Sequence, residues 1–105
     1  MNNYLVMTEK FSEVLGALFP EVERKNLPIL YYLSIGLNYS SITTVSDLSY
    51  RQVKHKIERI MKELDVNSLT AARQVYHCRM ISYFVNSHCQ TVSGEQLPEM
   101  PHLLL

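Results

Sequence analysis

Between Arg51 and Lys62 the chain sets Arg51, Lys54, Lys56, Arg59 and Lys62, together with His55, against one carboxylate, Glu58. Cations at this density do one kind of chemistry well. They displace the counterions of a polyanion and bind its phosphates. The excess is local. The whole chain balances ten Lys and Arg with ten Asp and Glu, and residues 1–30 hold Lys10, Arg24 and Lys25 against four glutamates. A neutral chain with one basic segment is an electrostatic layout for meeting a polyanion on one face.

Other chemistries find less support. His77-Cys78 and His88-Cys89 repeat eleven residues apart. On one continuous helix the pairs would lie about 16 Å apart, too far to close a single mononuclear site. No metal is therefore expected. Two cysteines make no disulfide framework and suit a reducing compartment. Paired catalytic carboxylates, a glycine-rich phosphate cradle and a recognisable nucleophile motif are all missing, so neither catalytic residues nor a cofactor is expected. Tyr31, Tyr32 and Tyr39 read as packing groups rather than base-stacking platforms.

The chain that must position the basic cluster has 105 residues, one domain's worth. Its 47% apolar and 19% charged residues exclude wholesale disorder. The longest uncharged apolar-rich stretch, residues 26–46, is interrupted by Pro28, Gly36 and many Ser and Thr, so it does not read as a membrane span. No secretory signal is apparent, and a cytoplasmic location is expected.

Periodicity and punctuation predict an all-α fold. Thr8 and Glu9 open a helix near 9–18, with Phe11, Val14, Leu15 and Leu18 at helical spacing and Pro20 beyond it. Residues 21–26 read as a charged connection or a short helical turn. Asn26 and Pro28 lead into a helix near 28–35 that Gly36 stops. A short polar helix follows near 39–46, then a turn over Ser46, Asp47, Leu48 and Ser49. Ser49 caps the clearest helix, 50–64. There Val53, Ile57, Ile60 and Leu64 form one stripe, with Arg51, His55, Glu58 and Lys62 opposite. Asp65, Val66 and Asn67 break it, and Ser68 caps a last helix near 69–85. Residues 86–105, with Gly94, Pro98 and Pro101, read as a flexible tail. The expected organisation is an N-terminal helix within 1–20, a helix-turn-helix domain over 21–85 and that tail.

A helix of eight residues, a four-residue turn and a longer amphipathic basic helix make the helix-turn-helix plan, whose second helix enters the major groove. Residues 36–66 resemble the LuxR/GerE-type helix-turn-helix without a gap. Gly36, Leu37, Ile42, Ser49, Val53, Lys54, Ile60, Leu64 and Val66 match the family pattern, Leu48 stands for an isoleucine, and Ala72 fits the small residue early in the fourth helix. The chain departs from the pattern at Thr43, at Ser46 in place of a core leucine, and at Gln52 and Lys56. Glu58 stands where relatives often have a basic contact.

The resemblance implies a small helical bundle without a wing, acting as a bacterial transcriptional regulator on double-stranded DNA. It implies that Lys54 contacts DNA and that His55 points into the groove. Helix geometry adds Arg51, Arg59 and Lys62 as base or phosphate contacts, and Ser40 and Ser41 as phosphate donors. Ser49 and Tyr50, at the start of helix 50–64, complete the expected DNA-binding set. The fourth helix of relatives commonly pairs about a two-fold axis. Here it carries more apolar groups than so small a core can hide, so Val75, Tyr76, Met80, Ile81, Tyr83 and Phe84 are expected to form a homodimer contact. Residues 1–19 are too short for a receiver or ligand-binding domain. Control would then come through abundance or a partner such as a larger regulator or RNA polymerase. The alternative is a protein-interaction module that pairs with a larger regulator and touches DNA little.

Overall fold

The computed structural model describes residues 8–91. The described part is helical, with no strand. Its elements are α1 (Glu9–Leu18), a 3₁₀ turn (Arg24–Asn26), α2 (Leu27–Ser34), α3 (Tyr39–Ser46), α4 (Tyr50–Glu63) and α5 (Leu69–Thr91).

Side-chain oxygens start four of these helices, each by taking an otherwise orphan amide. Thr8 Oγ1 accepts from the Phe11 amide at 3.1 Å and Asn38 Oδ1 from Ser41 at 2.8 Å. Ser68 Oγ accepts from Ala71 at 3.0 Å. At α4 the exchange is reciprocal. Ser49 Oγ accepts from the Gln52 amide at 3.2 Å, and Gln52 Oε1 accepts from the Ser49 amide at 3.0 Å. Gln52 thus completes a capping box. Beginning instead directly from the 3₁₀ turn, α2 places Pro28 in its first turn, where no amide is needed.

Two helices end in the same motif. After α2, the Gly36 amide donates to the Leu33 carbonyl and Leu37 to Tyr32, each at 3.2 Å, with Gly36 at φ 98°. After α4, Asp65 donates to Lys62 at 3.1 Å and Val66 to Met61 at 2.9 Å, with Asp65 at φ 58°. Both are Schellman closures, and the second puts a residue with a Cβ in the left-handed region.

Buried on most sides, α2 lies at the centre. It packs against α1, α3, α4 and α5, and Leu27, Ile29, Leu30 and Leu33 are all in the core. Around them close Leu15 and Phe19, Ile42, the stripe Val53, Ile57, Ile60 and Leu64, and Ala72. α3 seats against α4. Its hydroxyls turn inward on their own backbone: Thr43 donates to the Tyr39 carbonyl, Thr44 to Ser40 and Ser46 to Ile42. Half-buried Val45 and Leu48 pack against the core on either side of Ser46.

α5 fastens the ends of two earlier helices. Arg73 Nε donates to the Leu33 carbonyl at 2.9 Å, and His77 Nε2 lies 3.0 Å from the Ser34 carbonyl, both at the C-terminus of α2. Arg79 Nη1 donates to the Leu18 carbonyl at the end of α1 at 2.8 Å, and its guanidinium lies 5.0 Å over the Phe19 ring. Basic groups belong at these negative helix ends. Arg79 also forks onto Glu21, at 2.8 and 2.7 Å. Hydrogen bonding to Arg79 holds the Glu21 carboxyl down at about 2.

Two expectations need correcting. The last helix does not stop at residue 85. It runs to Thr91, because residues 86–91 contain no glycine or proline to break it. Any tail therefore begins later, and residues 92–105 lie outside the described residues. Tyr76 is not a surface contact. It is 5% exposed and stacks on Phe19, ring centroids 5.5 Å apart and planes 10° from parallel. Burial pushes its phenol up to about 12, so the ring stays neutral.

Candidate nucleic-acid interface

Burial of Val53, Ile57 and Ile60 decides which side of α4 faces out. Successive residues turn by about 100°, so Arg51, His55 and Lys62 point almost directly away from the core. Lys54 and Glu58 stand on one flank of that line, and Arg59, Lys56 and Glu63 on the other. Arg51, Lys54, His55, Glu58 and Lys62 are all exposed. Among the described residues none of the five has an ion pair, although Lys54 and Lys62 each lie one turn from Glu58. Tyr50, 53% exposed, opens the same surface and leans on Tyr39 of α3, ring centroids 5.7 Å apart.

Arg59 is different. Its Nη2 lies 3.3 Å from Glu23 and its Nε 3.3 Å from Glu63. Glu63 Oε1 in turn accepts from the Glu23 amide at 3.5 Å, and Lys25 lies 3.2 Å from Glu23. The 3₁₀ turn delivers this acidic group from thirty-odd residues upstream. Arg59, expected as a DNA contact, has two of its three guanidinium nitrogens turned to carboxylates on the flank, and the basic excess counted along residues 51–62 is smaller in space. Lys56 is committed too, its Nζ donating to Oδ1 of the buried Asn26 at 3.1 Å. That bond satisfies a polar group that would otherwise be costly to bury.

The serines divide. Ser40, in the first turn of α3, is exposed; Ser41 is half-buried, and its amide is taken by Asn38. Ser49 is exposed, but its oxygen serves the α4 cap. A shallow depression lined by His55, Glu58, Arg59, Lys62 and Glu63 runs along the outer side of α4.

The chain matches no family model, no curated protein and no solved structure.

α5 carries a second surface. From Met80 to Thr91 it has no Asp, Glu, Lys or Arg, and none of its residues from Met80 to His88 is buried. Ile81 is 48% exposed, Tyr83 40% and Phe84 66%. Val75 and Met80 are half-buried against the core. Of the six residues expected to pair, five thus offer at least part of their side chain, and Tyr76 does not. Beside them a depression runs between Leu18, Arg79, Tyr83 and the exposed Cys78. No group of His, Cys, Asp and Glu that could hold a metal ion occurs among the described residues, and none of their helices is long and apolar enough to cross a membrane.

Sequence reasoning missed the bond between Lys56 and Asn26, and it missed the roles of Arg73, His77 and Arg79. The Arg59–Glu63 pair had a readable signal in its i, i+4 spacing. Glu23 and the capped carbonyls had none, since they come together only through the fold.

Proposed function

We propose that this chain is a bacterial DNA-binding regulator of LuxR/GerE helix-turn-helix type, acting as a homodimer on double-stranded DNA in the cytoplasm. One observation carries the reading: the exposed, unpaired set Arg51, Lys54, His55 and Lys62 on α4, held outward by the buried stripe Val53, Ile57 and Ile60, with α3 seated across that helix. A helix so held presents cations and groove-reading side chains together, as major-groove recognition requires. Ser40, Tyr50 and the start of α3 would lie against the backbone, where contacts position the protein without reading sequence. The uncharged, apolar distal half of α5 supplies the pairing face, and a two-fold dimer calls for a pseudo-palindromic site.

Selection of bound sequences from a random double-stranded DNA pool tests this. Enrichment of an inverted repeat, with affinity falling steeply as salt rises, is the expected result. Failure to enrich any sequence at low salt would refute it.

A second reading has its own support. Glu23 and Glu63 neutralise Arg59, and Glu58 sits among the free cations, which weakens the field on α4. A protein-interaction module pairing through α5 with a larger regulator or RNA polymerase would need no such field. It would show no salt-dependent DNA binding at all.

A further inference from the structure

A carboxylate in the middle of a DNA-facing surface needs a reason. Glu58 is exposed on α4, between His55 and Lys62, and lines the depression they share. It repels every phosphate it approaches. Nor does it serve the fold. The carboxylates that do, Glu23 and Glu63, are on the opposite flank, holding Arg59. Glu58 has no ion pair or hydrogen bond within the described residues. Its nearest helical neighbours of opposite sign, Lys54 and Lys62, are also unpaired. The group is therefore available, with no partner among the described residues to lose.

What it can accept is narrow. An ionised carboxylate offers acceptors only. In the major groove the donors are the N4 amino group of cytosine and the N6 amino group of adenine. Adenine sets the N7 acceptor beside its amino group, which opposes a second carboxylate oxygen, and cytosine does not. Lys54, one turn before Glu58 on the same flank, is a donor only, and guanine offers O6 and N7 as acceptors. Side chains at i and i+4 stand about 5–6 Å apart, a distance comparable to one or two base-pair steps.

We infer that Glu58 is a specificity-determining residue that selects cytosine in the major groove by accepting from its N4 amino group, with Lys54 donating to a guanine of the same or the adjacent pair. The inference rests on the DNA-binding reading. It turns the residue that most weakens the basic face into the one that makes it selective.

The test compares the full-length wild-type chain with Glu58→Gln and Glu58→Ala by selection from a random duplex pool. The best wild-type site is then titrated with each base substituted at the column concerned. The wild-type motif should contain one column per half-site that demands cytosine, with other bases bound roughly fivefold or more weakly. In Glu58→Ala that column should become degenerate while the others persist. Glu58→Gln should lose the strict demand for cytosine, because an amide can also bond adenine. An unchanged motif in Glu58→Ala, merely bound more tightly at every sequence, would overturn the inference and leave DNA binding intact. Absence of any wild-type motif would overturn both. Circular dichroism of the variants supplies the folding control, and Glu58 is exposed enough that both should melt with the wild type.

Discussion

Arg79 and Glu21, 58 residues apart in the chain, meet in a two-pronged ion pair of 2.8 and 2.7 Å that ties α5 to the connection following α1. The guanidinium holds the Glu21 carboxyl at about 2, against 4.5 ordinarily. Between those values the unfolded chain takes up a proton that the folded chain does not. Stability contributed by the pair is therefore complete above about pH 4.5 and is lost as pH falls through that window toward 2. Both side chains are a third or more exposed to water, so screening reduces the contribution to about 1 kcal/mol. Unfolding free energies of wild type and Glu21→Gln from urea titration should differ by that amount at pH 7 and converge near pH 2. A gap that persists unchanged at pH 2 would assign the effect to packing.

Lys54→Ala should weaken DNA binding without harming the fold. An exposed lysine adds little to the core, and alanine favours helix. If Lys54 reads a base, the loss should be about 1–3 kcal/mol on the preferred site and small elsewhere. If it touches phosphate, the loss should be equal on all sequences and the salt slope should fall by about one. Affinity over a salt series, beside a melting curve, distinguishes these. Arg59→Ala is the contrast. It should change affinity less than Lys54→Ala does and cost about 0.5 kcal/mol of stability, since its charge is already offset by Glu23 and Glu63.

Phe84→Asp and Tyr76→Ala should separate association from folding on one helix. Phe84 is exposed, so a charge there should shift sedimentation from dimer to monomer at micromolar concentration with the monomer fold kept. Tyr76 is buried against Phe19, and truncating it should cost about 3–5 kcal/mol, largely as a cavity. A monomeric wild type at high concentration would remove the dimer from the proposal.

Asp65→Gly should stabilise the domain by about 0.5–1 kcal/mol. Asp65 closes α4 with φ 58°, where a Cβ is strained and a negative charge faces the negative end of the helix. Glycine removes both costs, less the extra freedom it gives the unfolded chain. Thermal unfolding measures the gain.

The sequence was most readable where one local rule acts alone. Thr8, Ser49 and Ser68 as caps, Gly36 as a stop and the stripe on α4 each follow from a few adjacent residues, and the α3 and α4 boundaries agree to within a residue. The end of α5 was obscured because Gly94 and Pro98 mark where a helix cannot continue, not where it has already stopped. Site residues were less legible for a different reason. Arg51, Lys54, Lys56, Arg59 and Lys62 look alike along the chain, yet only contacts with Asn26, Glu23 and Glu63 tell the committed cations from the free ones. Tyr76 and Phe84 are both aromatic residues of one helix, and Phe19, 57 residues before Tyr76, decides which of them is buried.

The bonds from α5 to the ends of α1 and α2 close long loops: Arg73 to Leu33 over 40 residues, His77 to Ser34 over 43 and Arg79 to Leu18 over 61. Each must meet a loop-closure cost before it returns any stability. A chain emerging from the ribosome therefore cannot complete this domain until residue 79 is free, however readily its first four helices flicker. Through that interval the carbonyls of Leu18 and Ser34 depend on water, and that of Leu33 keeps the Gly36 amide. A product truncated after α4 would not be a smaller domain but a collection of unfinished helices and a ready substrate for proteases.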